Sequence, residues 1–287
     1  MPTAAVRLAS TDEAAHDPTL DHALGQLARR FGQAIAGRLD RVPPVAVIST
    51  GSLDLDLATG VGGIPRGRLT EVYGPDGVGK TTLTLSVIAQ VQQSGGTACF
   101  IDAEHALDLG WAARVGVDLN RLVLCRPEDG EQALEVADVL VASGGLDVLV
   151  IDSIAALVPR AELAGEIGDR HPGVQANLLS MALRKLAGRI ARAQVAVVVT
   201  NQLRQKAGTP GEAVYTAGGR ALGYYASLRL DLRQTGQIRE AGQVVGTRVR
   251  VQVTKNKTAP AWRTAELDMR SDRGVVAQTG RQEAASA

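Results

Sequence analysis

The sequence has only two cysteines, Cys99 and Cys125, in 287 residues. Neither belongs to a CxxC pair and no histidine-rich cluster lies near them, so the pattern points away from a disulfide scaffold or a cysteine metal site. Both sit in apolar, strand-like stretches and read as reduced core residues. Long hydrophobic runs are also missing. No stretch approaches the roughly 18 apolar residues of a membrane-spanning helix, and the N-terminus lacks the basic-then-apolar layout of a secretory signal. The expectation is a soluble, cytoplasmic protein with no membrane partner. Excess charge is missing too: 31 basic and 30 acidic residues leave a formal charge of +1. Nothing global draws the chain to a polyanion, so any such site must be built locally.

What is present resembles an ordinary globular protein, with 45% hydrophobic and 21% charged residues. The length suits one large domain, or one domain with a small appendage. Residues 1–18 are rich in Ala, Ser, Thr and Asp without an apolar period, and are expected to be a disordered leader. Leu20, Ala23, Leu24, Leu27 and Phe31 then recur at three- and four-residue steps, which predicts a short amphipathic helix. The RVPP run at 41–44 breaks any helix. Residues 19–41 therefore read as a helix and strand arm outside the core, able to dock on a neighbouring copy.

From residue 42 to 272, apolar β-type runs alternate with helical ones, the pattern of βα units on a mostly parallel sheet. The clearest runs are Leu69–Tyr73, Ala98–Asp102, Leu122–Cys125, Val148–Asp152 and Val195–Asn201. Several are apolar throughout, as strands covered on both faces should be. Runs near Leu228–Arg233 and Arg248–Lys255 alternate more and predict antiparallel additions. Residues 273–287 turn small and polar and are expected to be a flexible tail.

The most specific signal is GPDGVGKT at 74–81, which satisfies GxxxxGK[ST] between an apolar strand and a helix-forming run. The stretch Gly74, Pro75, Asp76, Gly77, Val78 and Gly79 would curl backbone N–H groups around a phosphate, and the following helix adds its N-terminal dipole. Lys80 would reach the β and γ phosphates, and Thr81 would hold Mg²⁺. Asp152 closes a buried strand at its C-terminal edge, where ligands of open α/β sheets bind and where a Mg²⁺-associated carboxylate belongs. Glu104 follows another strand and could deprotonate an attacking water. Gln202 stands at a strand edge, readable either as a polar strand end bonded to backbone or as a γ-phosphate sensor.

Basic residues also cluster. Arg184, Lys185, Arg189, Arg192, Arg204 and Lys206 fall within 23 positions that hold no acid. Lys185, Arg189 and Arg192 share a helix face opposite Leu179, Leu183, Leu186 and Ile190. Such a stripe reads either as a solvated face or as a surface tracking a single-stranded backbone.

With these motifs in hand, the sequence resembles the bacterial RecA recombinase family. The resemblance rests on ISTGS (48–52), GPDGVGKTT (74–82), FIDAEHALD (100–108), GEIGD (165–169), RKLAG (184–188), YASLRLD (225–231) and KNK (255–257), in family order over nearly the whole chain. It implies an α/β fold: a RecA-like P-loop NTPase core with a mostly parallel central sheet, antiparallel additions and an N-terminal helical arm. It implies that Glu104 activates water and that Gln202 couples ATP to the DNA loops. Thr82 falls within the nucleotide loop, Trp111 stands where an aromatic stacks on adenine, and Asp108 lies near the base. Lys255 and Lys257 match a pair that reaches a neighbour's γ-phosphate, and the arm matches one that docks on the next subunit. The implied DNA loops fall at 162–173 and 206–219, with Arg184, Lys185, Arg204, Lys206, Gly218 and Gly219 as DNA contacts.

The implied function is a DNA-dependent ATPase, using ATP and Mg²⁺, that forms helical filaments on single-stranded DNA and promotes homologous pairing and strand exchange in recombinational repair. Duplex DNA is a second implied ligand. Two departures stand out: His171-Pro172 in the first loop, and GTPGE at 208–212 where the family carries a bulky apolar wedge. Tyr215 is the one aromatic in the second loop. The family also continues into a small C-terminal domain beyond this chain's last residue. These departures support an alternative, a RecA-like filament-forming regulatory ATP-binding protein without strand exchange. A small-molecule P-loop kinase shares the phosphate loop alone.

Overall fold

The computed structural model describes residues 18–32, 36, 44–166, 168–169, 171–204 and 215–276. The expected leader up to residue 17, most of 33–43, residues 205–214 and the tail from 277 lie outside the described residues.

Two compact units divide at Pro44. In the first, α1 (Pro18–Phe31) begins on the last residue of the expected leader, with Pro18 at a first-turn position that needs no N–H donor. Its apolar residues are partly exposed, Leu20, Leu27 and Phe31 among them.

The second unit runs β1 (Val47–Ile48), α2 (Leu53–Ala58), β2 (Ile64–Pro65), β3 (Leu69–Gly74), α3 (Lys80–Gln93), β4 (Ala98–Asp102), α4 (Leu109–Val115), β5 (Leu122–Cys125), α5 (Gly130–Ser143), β6 (Val148–Asp152), α6 (Arg160–Leu163) and α7 (Val174–Ala193). It continues with β7 (Ala196–Arg204), β8 (Tyr215–Thr216), α8 (Arg220–Tyr225), β9 (Leu228–Glu240), β10 (Gln243–Asn256), β11 (Thr264–Arg270) and β12 (Gly274–Val276).

One large sheet has the order β12-β11-β10-β9-β3-β7-β6-β4-β5, with β8 added to β7. The pairs from β9 through β3, β7, β6 and β4 to β5 are parallel, and β9 to β12 are antiparallel. This is the α/β architecture the sequence implies. Alternate residues of each parallel strand go to opposite faces. Phe100, Val148, Val150 and Val198 pack with Leu83, Leu85 and Ile88 of α3, while Cys99, Ile101, Leu149, Ile151 and Val199 pack with α5 and α7. That double coverage is why these strands are apolar throughout.

Three boundaries differ from expectation. Strand β7 runs three residues past Asn201. Strands β9 and β10 continue well beyond the alternating runs into a two-residue turn at Ala241-Gly242, where both φ angles are positive, 49° and 83°. The outer half of this hairpin is solvated, so it carries little apolar alternation to read. Gly274–Val276 pairs with β11 inside what the sequence presented as tail. Among the described residues no helix is long and apolar enough to cross a membrane.

Candidate functional site

The phosphate loop joins β3 to α3. Gly79 caps α3 with φ +96°, and a Cβ there would lie 2.2 Å from Met269 Sδ, so the turn needs glycine for both conformation and space. Lys80 folds back into the loop: its Nζ donates to the carbonyls of Pro75 at 2.8 Å and Gly74 at 3.1 Å, with Asp76 at 3.7 Å. Burial pushes the Lys80 ammonium below the usual lysine range, against the opposing pull of Asp76, Asp152 and Glu104.

Thr81 Oγ1 donates to Asp152 Oδ2 at 2.6 Å, and Thr200 Oγ1 donates to Oδ1 of the same carboxylate. Burial raises the Asp152 carboxyl above the ordinary aspartate range. The Thr200 and Thr81 hydroxyls oppose that rise, and neighbouring Glu104 adds to it. A hydroxyl and a hard carboxylate at the start of α3 suit a Mg²⁺ ion that takes its other ligands from phosphate and water. The donor set, one hydroxyl and one carboxylate, leaves most of an ion's coordination to other ligands.

Glu104 lies just past β4, where the Ala103 and Glu104 N–H groups both donate to the Asp152 carbonyl at 2.9 and 3.3 Å. Ser153 Oγ donates to Glu104 Oε1 at 2.5 Å. Asp102, almost fully buried, accepts from the Ala106 and Leu107 N–H groups and lies 3.5 Å from Arg126, which shapes the turn carrying Glu104. Ser153, Thr200 and Asp102 have no role in the sequence reading. Their signal there is only position, each at or next to the C-terminal end of a buried strand.

Gln202 is the register partner of Gly74 across the parallel β3–β7 pair, which puts it beside the first residue of the phosphate loop. Trp111 stands at the other flank, its Nε1 donating to Thr82 Oγ1 at 3.3 Å. Asp108 caps α4 by accepting from the Trp111 N–H at 2.9 Å, and Arg114 lies at 4.0 Å from its other oxygen. Asp108 thus positions Trp111 instead of presenting a free carboxylate.

Lys255 and Lys257 do not reach their own phosphate loop. Lys255 Nζ donates to Gly223 O at 2.5 Å and Tyr224 O at 3.2 Å, and Lys257 Nζ donates to Tyr224 O at 2.9 Å. Two cations cap the last turn of α8, where the helix dipole favours positive charge.

The two expected DNA segments meet in one cavity of about 390 Å³, lined by Glu162 and His171 from the first and by Gly218 and Gly219 from the second. Gly218 packs against Leu179 of α7, and Gly219 against Ala176. Arg184 is exposed. Part of the basic stripe is ion-paired: Lys185 and Arg189 close on Asp138 of α5 at 2.6 and 2.5 Å. That one acid, 47 positions upstream of Lys185, offsets one of the two positive charges. Lys206 lies outside the described residues, and Arg204 is described only as the end of β7.

Comparison with known proteins matches residues 18–276 to the RecA N-terminal domain family. "Protein RecA" of Azospirillum lipoferum is 50% identical over 279 residues, covering 96% of this chain and 78% of the relative. "Protein RecA" of Gluconobacter oxydans is 52% identical over 259 residues (89% and 75%), and that of Brucella canis 50% over 274 residues (94% and 76%). With a family match over almost its whole described length and relatives at half identity, the chain belongs to the RecA family.

Proposed function

We propose that the chain is a DNA-dependent ATPase that assembles as a helical filament on single-stranded DNA and promotes homologous pairing and strand exchange, with duplex DNA as the second strand source. The observation that carries the reading is the convergence on one strand-end crevice of the Thr81–Asp152 pair, the Ser153-held Glu104 and the Gly74–Gln202 register.

Lys80 exchanges its loop carbonyls for the β and γ phosphates, a favourable trade for an ammonium already stripped of water. Thr81 and Asp152 would hold the Mg²⁺ that comes with ATP, which would supply positive charge against the charge developing on the phosphates. Glu104, oriented by the Ser153 hydroxyl, takes the proton of the attacking water. Trp111 offers its ring to the base. Gln202 senses the γ-phosphate and passes its presence to the segment that follows β7.

Lys255 and Lys257 serve the neighbouring protomer. A nucleotide shared between copies would draw them from α8, linking hydrolysis to a head-to-tail contact that propagates when its rotation does not close. The arm at 19–41 supplies a second part of that contact, and Arg184, Arg204, Lys206, Gly218 and Gly219 are the DNA contacts of this reading. Lys185 joins them only by leaving Asp138.

The test is steady-state ATP hydrolysis at fixed salt with and without single-stranded DNA, with Lys80→Ala as the blank. Many-fold stimulation by DNA is the expected result. Turnover indifferent to DNA would overturn this reading in favour of a regulatory ATP-binding filament.

A further inference from the structure

Glu71 is a fully buried carboxylate that the mechanism above does not use. It lies on β3, three residues before Gly74, and its register partner on β9 is Arg229. Arg229 Nε donates to Glu71 Oε2, and its guanidinium lies 4.8 Å over the Tyr73 ring. Glu71 is fully desolvated while the Arg229 side chain keeps 23% exposure, so removing the arginine would strand a buried carboxylate.

The second oxygen of Glu71 meets Asn201, also fully buried. Asn201 Nδ2 donates to Glu71 Oε1 at 2.9 Å and to the Ala217 carbonyl at 3.0 Å, while its Oδ1 accepts the Gln202 N–H at 2.9 Å. Arg229 Nη2 reaches Thr216 Oγ1 at 3.4 Å, and the Ala217 N–H donates to Gln202 O at 3.3 Å. Only a side-chain amide can donate twice and accept once at this point; aspartate offers no donor and leucine neither function. Residues 202 and 216–217 flank the segment 205–214, so one amide joins both of its ends to the strand that opens the phosphate loop.

We propose that Asn201, anchored by Glu71 and Arg229, is a positioning unit that makes Gln202 and the Thr216–Ala217 pair move together with the phosphate-loop strand. It rests on the function proposed above and names the junction through which nucleotide state and single-stranded DNA communicate. Moving Gln202 toward a γ-phosphate then either breaks its bond to Asn201 or carries Ala217 with it. In a low-dielectric core the bonds of such a network strengthen one another, so the loss of one is felt by the rest.

The test uses the full chain with Asn201→Ala, a fluorescent ATP analogue and an oligothymidylate. Analogue affinity and DNA-free turnover are expected within about threefold of wild type, while DNA-stimulated turnover falls about tenfold. Backbone hydrogen exchange is expected to rise at Gln202 and Ala217 together. A folded Asn201→Ala protein with wild-type stimulation overturns the proposal, as does faster exchange at Gln202 alone. Should Asn201→Ala not fold, Arg229→Lys keeps the charge beside Glu71 without the planar fork. It is expected to lose stimulation about threefold, a modest coupling loss, and wild-type stimulation there would overturn the proposal equally. If the wild-type protein itself ignores DNA, the function reading fails, and the paired exchange at 202 and 217 then decides the positioning unit by itself.

Discussion

Gly74 and Gln202 stand side by side in parallel register, the first residue of the phosphate loop against the residue just past the adjoining strand's buried stretch. Neighbouring strands lie about 4.8 Å apart, so sheet pairing, not loop conformation, fixes the glutamine at the mouth of the nucleotide site. The crevice falls beyond the carboxyl ends of β3, β7, β6 and β4, where open α/β sheets place their ligands.

Glu104 is held by the Ser153 hydroxyl at 2.5 Å. Glu104→Gln keeps the shape and loses the base, so kcat is expected to fall at least about 100-fold, with nucleotide affinity within about threefold. Ser153→Ala leaves the base free to wander and is expected to cost about tenfold in kcat. Single-turnover hydrolysis with a separate binding titration checks both. Unchanged turnover in Glu104→Gln would remove the carboxylate from the reaction.

Asp152 makes the opposite kind of prediction, because its carboxyl is raised above the usual range by burial in spite of the Thr200 and Thr81 hydroxyls. A folded state that holds a proton more tightly than the unfolded chain loses stability as pH rises through that window. The full cost is therefore present above the raised value and shrinks as pH falls through it. Asp152→Asn, which can still bond both hydroxyls, is expected to raise the Tm of the nucleotide-free protein by about 2 °C or more at pH 7.5. The gain should narrow at acidic pH, and Mg²⁺-dependent nucleotide binding should be lost. Thermal melts at two pH values check the sign, and a lowered Tm at pH 7.5 would contradict it.

Much of this site is legible in the sequence because its residues are local to motifs. GPDGVGKT places Lys80 and Thr81, and the apolar runs ending in Asp152 and preceding Glu104 place the carboxylates at strand ends. What the sequence does not carry is contact between distant positions. Asp138 captures Lys185 and Arg189 from another helix, and Glu71 meets Asn201 across 130 positions. Lys255 and Lys257 find the carbonyls of α8. The outer hairpin of β9 and β10 escapes for a different reason. Residues such as Thr235, Gln237 and Gln243 face water, so backbone pairing holds those strands without an apolar stripe.

Gly218 has φ +82°, and a Cβ there would lie 2.5 Å from Leu179 Cδ1 and 3.2 Å from Ile154 Cγ2. Gly218→Ala thus combines a disfavoured backbone region with overpacking against two buried side chains. A loss of about 1–3 kcal/mol is expected, read as a lower urea midpoint with unchanged m-value. Because this glycine also lines the cavity shared with His171, single-stranded DNA affinity should fall as well.

The basic face of α7 divides into two kinds of cation. Arg184 is exposed and has no ion pair among the described residues, whereas Lys185 already neutralises Asp138 at 2.6 Å. A cation that meets a phosphate releases counterions, so each one lost lowers the salt slope of single-strand binding by about 0.7. Arg184→Ala is therefore expected to flatten the slope by about 0.7 and weaken binding at every DNA sequence. Lys185→Ala should flatten the slope less, since Lys185 and Arg189 share the single negative charge of Asp138. Log–log titrations of affinity against salt for the two variants decide between them. Equal flattening in both would mean that Lys185 leaves Asp138 for the DNA backbone, and that the ion pair on α5 is a resting contact that binding breaks.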